Sequence, residues 1–199
     1  RGRLETLLSS ARSGLAAQES ARTEARVHAT RGEACMASHD YRGAIVSYEA
    51  AVALDVNAAV LTSSYRSGVE SARAALTASL EAAHAKLAEG ESAVAGKDWE
   101  TGIACFGAGL SLDGMDDEEL RSSLRASLES AEASKAARDE AREAAEGHVA
   151  EGRRRLSLRE YGEAIAALEA GLSLDSQCDD LRGRLETLLS SARSGLAAQ

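Results

Sequence analysis

The side chains in this chain with most reason to do chemistry are four histidines, His28, His39, His84 and His148, and three cysteines, Cys35, Cys105 and Cys178. Metal centres gather such groups in pairs a few residues apart, and nucleophilic centres set a Cys or Ser against a base. The cysteines here have neither disulfide nor metal spacing, which favours a reducing compartment. The histidines are not paired with Cys or carboxylate as metal ligands would be. The acidic run Asp113, Asp116, Asp117, Glu118 and Glu119 suggests calcium at first sight. It lacks the alternating ligand spacing, the turn glycine and the terminal Glu of an EF-hand loop. Carboxylates at the start of a helix complement its macrodipole, and capping is the role we expect for them. The sequence nominates no catalytic, cofactor-binding or metal-ligating residue. We expect a protein that is not an enzyme and uses no cofactor.

The elements that must position these residues are repetitive. Residues 1–18 read RGRLETLLSSARSGLAAQ, and residues 182–199 repeat them without one difference, at an offset of 181. Within that unit three segments align without gaps: 32–55, 90–113 and 152–175. In each, Gly (Gly32, Gly90, Gly152) is followed nine residues later by an aromatic (Tyr41, Trp99, Tyr161). An Ile stands four further on (Ile45, Ile103, Ile165), and each segment closes on Leu-Asp (Leu54-Asp55, Leu112-Asp113, Leu174-Asp175). The spacings are 58 and 62 residues, so the large unit reads as three diverged modules of about sixty, later amplified together. His28, Lys86 and His148 fall on one equivalent position, a half-exposed cationic site on the first helix. Tyr41, Trp99 and Tyr161 share another, which reads as a core wedge between hairpin helices rather than an exposed anchor.

These segments resemble the tetratricopeptide repeat. The resemblance rests on Tyr41, Ala44, Ile45, Tyr48, Ala51, Leu54 and Asp55. The second copy matches with Trp99, Gly102, Ile103, Phe106, Leu110, Leu112 and Asp113, and the third with Tyr161, Ala164, Ile165, Leu168, Leu172, Leu174 and Asp175. The three glycines stand where the family's first helix carries its own. The family's first-helix Trp is replaced by His28, Lys86 and His148, and its closing Pro by Val56, Gly114 and Ser176. The resemblance implies a helix hairpin in each module. Many members bind acidic C-terminal tails through Lys and Asn on the first helix. The corresponding positions here, Ala29 and Glu33, Leu87 and Glu91, Val149 and Arg153, do not build that clamp.

A tetratricopeptide repeat is about 34 residues long, and these modules are about 26 longer. The additional segments are also alike: 61–73, 120–132 and 181–193. From Leu61 the apolar positions step through Tyr65, Val69, Ala72, Leu76, Leu80, Ala83 and Leu87 at helical spacing, which predicts one unbroken helix into the next hairpin. Proline is absent from the whole chain, as such helices require. Long helices are therefore expected over 58–96 and 117–158, each about 60 Å long. Short helices should begin near Tyr41, Trp99 and Tyr161, with Asp40 and Asp98 as N-caps. The expected fold is all-α, an extended α-helical solenoid of tetratricopeptide-like hairpins joined by long helices. Its modules run over 1–56, 57–114 and 115–176, and 177–199 starts the next unit.

Net charge is −9, and the last 18 residues carry three Arg against one Glu, so one 181-residue unit carries −11. Such acidity disfavours nucleic acid and anionic membranes as partners. The run Arg153, Arg154 and Arg155 should pair with Glu residues of its own surroundings. No apolar run approaches the ~20 residues that span a bilayer. The expected role is structural: a scaffold segment of a giant elongated cytoskeletal, ciliary or contractile-fibre protein, cytoplasmic, acting through protein partners or self-association into a filament. The alternative is a multivalent binding scaffold recruiting copies of a partner such as an EF-hand calcium-binding protein. The chain is expected to be a window on a longer array, continuing after Gln199 as it does after Gln18. Leu4, Leu7, Leu8 and Leu15, and equally Leu185, Leu188, Leu189 and Leu196, are expected to be its most exposed apolar faces.

Overall fold

A computed structural model of the chain describes residues 2–54, 59–174 and 178–198, without the side chains of Ala59 and Val60. The closing Asp55 and Asp175, and the module boundaries at 56 and 176, lie outside the described residues. Among the described residues seven helices follow one another: α1 (Gly2–Ala37), α2 (Tyr41–Leu54), α3 (Ala59–Ala95), α4 (Trp99–Leu110), α5 (Glu118–Ser157), α6 (Tyr161–Ser173) and α7 (Asp179–Ala197). No strand occurs among the described residues. The protein is all-α. Helices α3 and α5 match the expected long helices to within a residue or so, residue 58 being outside the description, and the short helices start at Tyr41, Trp99 and Tyr161 as expected.

Long and short helices meet at the same turn three times. His39, Lys97 and Arg159 all adopt positive φ, at 60°, 63° and 61°. The next backbone N–H then reaches back five positions: Asp40 donates to Cys35 O at 2.9 Å, Asp98 to Ala93 O at 2.9 Å and Glu160 to Arg155 O at 3.0 Å. This is a Schellman closure, which satisfies carbonyls the ending helix leaves open. Glycine is the usual residue there, because a side chain at positive φ costs about 1 kcal/mol or more. The charged side chains of Lys97 and Arg159 complement the negative end of their helices, which offsets part of that cost. Asp40 Oδ1 then accepts from Gly43 N at 2.9 Å, and Asp98 Oδ1 from Thr101 N at 3.1 Å, the two N-caps the sequence predicts. At the third turn Glu160 makes no such bond.

The chain folds as two compact units. The first comprises residues 1–91 and 104–125. In it α2 packs between α1 and α3, and Tyr48 holds the three together. An added Cβ would meet the Tyr48 ring at 2.9 Å from Gly32 and at 3.0 Å from Gly68, so the ring lies between two bare backbone surfaces. The same contact recurs where Phe106 covers Gly90, at 2.4 Å from a Cβ there. Tyr41 is half-buried and seats against Gly114, whose φ of 71° suits glycine.

The second unit comprises residues 92–103 and 126–199. Its core is Ala145 and Val149 of α5, Ala164 and Leu168 of α6, and Leu181, Leu185, Leu189 and Ala192 of α7. Leu168 covers Gly152, as Tyr48 covers Gly32 and Phe106 covers Gly90. The wedge on the first-helix glycine is thus the residue seven after the expected aromatic. Trp99 is buried, but under Arg138 of α5, whose guanidinium carbon lies 5.1 Å from the ring centroid. Tyr161 faces Gly195 of α7. At all three equivalent positions, the contacts of the first aromatic run forward along the chain, beyond its own hairpin.

Candidate interaction surface

The residues that could do chemistry are dispersed over these helices. His28 and His148 are half-buried, as is Lys86 between them. The stems of Lys86 and His148 pack where an added Cβ on Gly109 or Gly171 would meet their Cβ atoms, at 3.3 and 2.9 Å. This position is a packing site for the hairpin. His84 Nδ1 lies 2.9 Å from Leu80 O of the preceding turn, and His39 is 3.9 Å from Asp113. The cysteines are free and half-buried. Among the described residues no three His, Cys, Asp or Glu side chains converge as metal ligands would.

The acidic run spreads its carboxylates among separate partners. Asp117 Oδ1 accepts from Leu120 N at 3.0 Å and caps α5, and Glu118 and Glu119 fill that helix's first turn. Asp116 pairs with Arg42 at 3.1 Å, and Glu118 with Arg121 and Arg125 at 3.5 and 3.4 Å. Asp113 gives its backbone carbonyl to the Ser79 hydroxyl at 2.8 Å. The arginine run also turns inward. Arg154 and Arg155 both donate to Glu151, and Arg155 reaches Glu160 at 2.8 Å and Glu163 as well. Hydrogen bonds from Arg154 and then Arg155 pull the Glu151 carboxyl down to about 2. Arg153 is exposed. At the clamp positions Ala29 and Val149 are buried and Leu87 half-buried, while Glu33, Glu91 and Arg153 point to solvent.

What stands out is apolar. Leu4, Leu7, Leu8 and Leu15 are 67, 60, 57 and 58% exposed on the first four turns of α1, and residues 2–17 are exposed throughout. The four leucines lie on one exposed apolar stripe of α1. The expectation that the matching face at 182–199 is equally bare is corrected. Leu185 is 1% and Leu189 7% exposed, Leu188 is half-buried, and Leu196 alone stays open at 48%. The reason is α6, which precedes α7 and covers it with Ala164, Leu168 and Leu172. Gly171 admits Leu185 so closely that a Cβ there would stand 2.9 Å from Leu185 Cδ2, and Arg193 pairs with Glu169 of α6 at 2.9 Å. The sequence signal that could have shown this is order: α6 and α7 form the same sequel as α2 and α3. The same ion pair joins Arg73 to Glu49 there, at 2.6 Å. Val27 and Val46 are also widely exposed, at 64 and 66%. Val46 lies beside His28, Arg31 and Arg42 in a shallow groove between α1 and α2.

None of the described helices is long and apolar enough to cross a membrane. No protein-family model, curated protein or solved structure matches the chain.

Proposed function

We propose that this chain is a scaffold segment: a stretch of tandem, tetratricopeptide-like helix hairpins that works by presenting protein-binding helical faces at regular intervals, without catalysing a reaction. In this reading the long helices space the hairpins, the modules stack into an extended solenoid, and units of 181 residues follow one another in a longer array. The cytoplasm, within a cytoskeletal, ciliary or contractile-fibre assembly, is where such length is useful. One observation carries the reading. An 18-residue segment recurs unchanged at an offset of 181, and its second copy completes a helical core that its first copy leaves open. A protein selected for a single active site has no use for that arrangement. Dispersal of the reactive side chains into caps, ion pairs and packing sites agrees with it.

Two measurements test the proposal. Small-angle scattering of the chain should give a radius of gyration well above the ~17 Å of a compact globule of this length. Affinity capture with the chain as bait should recover filament or axonemal components in fixed stoichiometry. A compact particle that captures no structural protein overturns the scaffold reading.

A further inference from the structure

We propose that the groove between α1 and α2 is a docking site for an acidic segment of a partner protein, one that sets an aliphatic side chain among carboxylates. The first module alone carries the site, so the scaffold loads one such partner per 181-residue unit rather than one per hairpin. The inference rests on the scaffold reading and gives that scaffold a partner of stated chemistry.

His28, Arg31, Arg42 and Val46 line the groove, and Val27 stands four residues before Arg31, on the same face of α1. Val27 and Val46 are 64 and 66% exposed. Valine is a poorer helix former than alanine, and packing inside the hairpin does not call for it at these two positions. The arginines supply the direction. None of the described ion pairs uses Arg31. Arg42 holds Asp116 through Nε at 3.1 Å and is still 59% exposed, so this edge of the groove already takes a carboxylate.

The other two modules show what the hairpin itself requires. At the positions of Val27, Arg31, Arg42 and Val46 the second module has Ala85, Glu89, Glu100 and Ala104, and the third has Gly147, Glu151, Gly162 and Ala166. Each valine becomes alanine or glycine, and each arginine becomes glutamate or glycine. Both modules still form their long and short helices, so the valines and arginines serve something other than the fold. An upstream hairpin does not cover this face. Ala85, Glu89 and Ala104 follow the complete α1–α2 hairpin in the same chain, and all three are exposed. A nucleic acid would use the arginines and ignore the valines, and a chain of net charge −9 repels it. A segment with carboxylates around an aliphatic residue uses both.

Selection from a random peptide display library against the full chain, counter-selected on Arg31→Glu/Val46→Asp, supplies a probe without presuming its sequence. The enriched peptides should carry several Asp or Glu residues around a Leu, Ile, Val or Met. Titration calorimetry with the most enriched peptide should give one site per chain, although the chain holds three hairpins. Arg31→Glu and Val46→Asp should each weaken binding by at least about tenfold, the equivalent of about 1.4 kcal/mol. Helicity should be unchanged in both, since both side chains are exposed. Asp116→Asn releases Arg42 and should tighten binding. The proposal is overturned if the enriched peptides show no acidic bias, if three sites are titrated, or if either variant binds as the unaltered chain does. Saturable binding of polyuridylate or phosphatidylserine vesicles to this groove, with no peptide enriched, also overturns it. Each of these failures would leave the scattering test of the scaffold reading untouched.

Discussion

Residues 2–17 and 183–198 are the same sixteen amino acids in two places, and their fates differ. Both lie in helices, α1 and α7, but the first set is exposed along its whole length while the second buries Leu185, Leu189 and Ala192 against α6. Helix formation is therefore a property of the segment. Burial is a property of the neighbour. The segment has what a helix needs locally, with leucine, arginine, alanine and glutamate at most positions and no proline. What it lacks is an opposing surface, and only the α6 sequence supplies one. Burying Leu185 and Leu189 contributes about 1.5–3 kcal/mol each, and none of that is available to Leu4 and Leu8.

The largest consequence is in local stability. Amide hydrogen exchange should be slower at 186–193 than at 5–12 by a hundredfold or more, since roughly 3 kcal/mol of additional burial corresponds to about two decades. Intrinsic exchange rates are matched by the shared sequence, so the ratio reads structure alone. Equal protection would erase the distinction between the two ends.

Next comes the leucine itself. Leu185→Ala should cost about 2–5 kcal/mol in the unit that contains α6 and α7, because a side chain 1% exposed leaves a cavity. Leu4→Ala, at 67% exposure, should stay within about 0.5 kcal/mol. Urea denaturation followed at 222 nm would compare them. A loss at Leu4 comparable to that at Leu185 would mean that something covers the head of α1.

The glycines sharpen the contrast because the same substitution should change sign. A Cβ on Gly14 meets nothing within 4 Å, so Gly14→Ala should stabilise α1 by up to about 1 kcal/mol through helix propensity. On Gly195 the Cβ would stand 2.2 Å from Tyr161 Cε1, and the ring must move. That overpacking costs about 1–3 kcal/mol against the same propensity gain, so Gly195→Ala should be neutral to destabilising. Thermal melts of the two variants should shift in opposite directions, or at least differ clearly.

Most of the secondary structure was legible in the sequence, for reasons visible at particular residues. The Leu61-to-Leu87 stripe has one period and no breaker, so α3 was fixed to within a residue of its described ends. Asp40 and Asp98 announced the starts of α2 and α4 through their capping chemistry. The turns were less legible. His39, Lys97 and Arg159 stand where glycine is the usual mark of a Schellman closure, so nothing in their type advertised positive φ. Only their shared position, one before the cap, could have done so. The partner of each aromatic was also hidden. Spacing put Trp99 in the core, but whether it faced its own hairpin or Arg138 of α5 depended on how α5 lies against it. The covering of Leu185 and Leu189 escaped for the same reason. An apolar stripe reports that a helix needs cover and does not say which helix provides it.

The smallest expected effect concerns charge, and it asks whether the two ends differ in register as well as burial. Arg193 bonds Glu169 at 2.9 Å across 24 residues, and Arg73 bonds Glu49 at 2.6 Å across the same separation. In the middle module the equivalent positions hold Glu132 and Gly107, so both partners have changed together. That joint change argues that the pair is used as a pair. Its side chains are nonetheless 61 and 50% exposed, where ion pairs contribute about 0.2–1 kcal/mol. A double-mutant cycle on Arg193→Ala and Glu169→Ala should give a coupling in that range. It should fall sharply in 1 M salt, where the screening length is about 3 Å. The same cycle on Arg12→Ala and Glu169→Ala in the monomeric chain should give no coupling, because Arg12 has no carboxylate to lose. Coupling in the second cycle would place Arg12 against a Glu169, and the head of α1 would then be covered as its twin is.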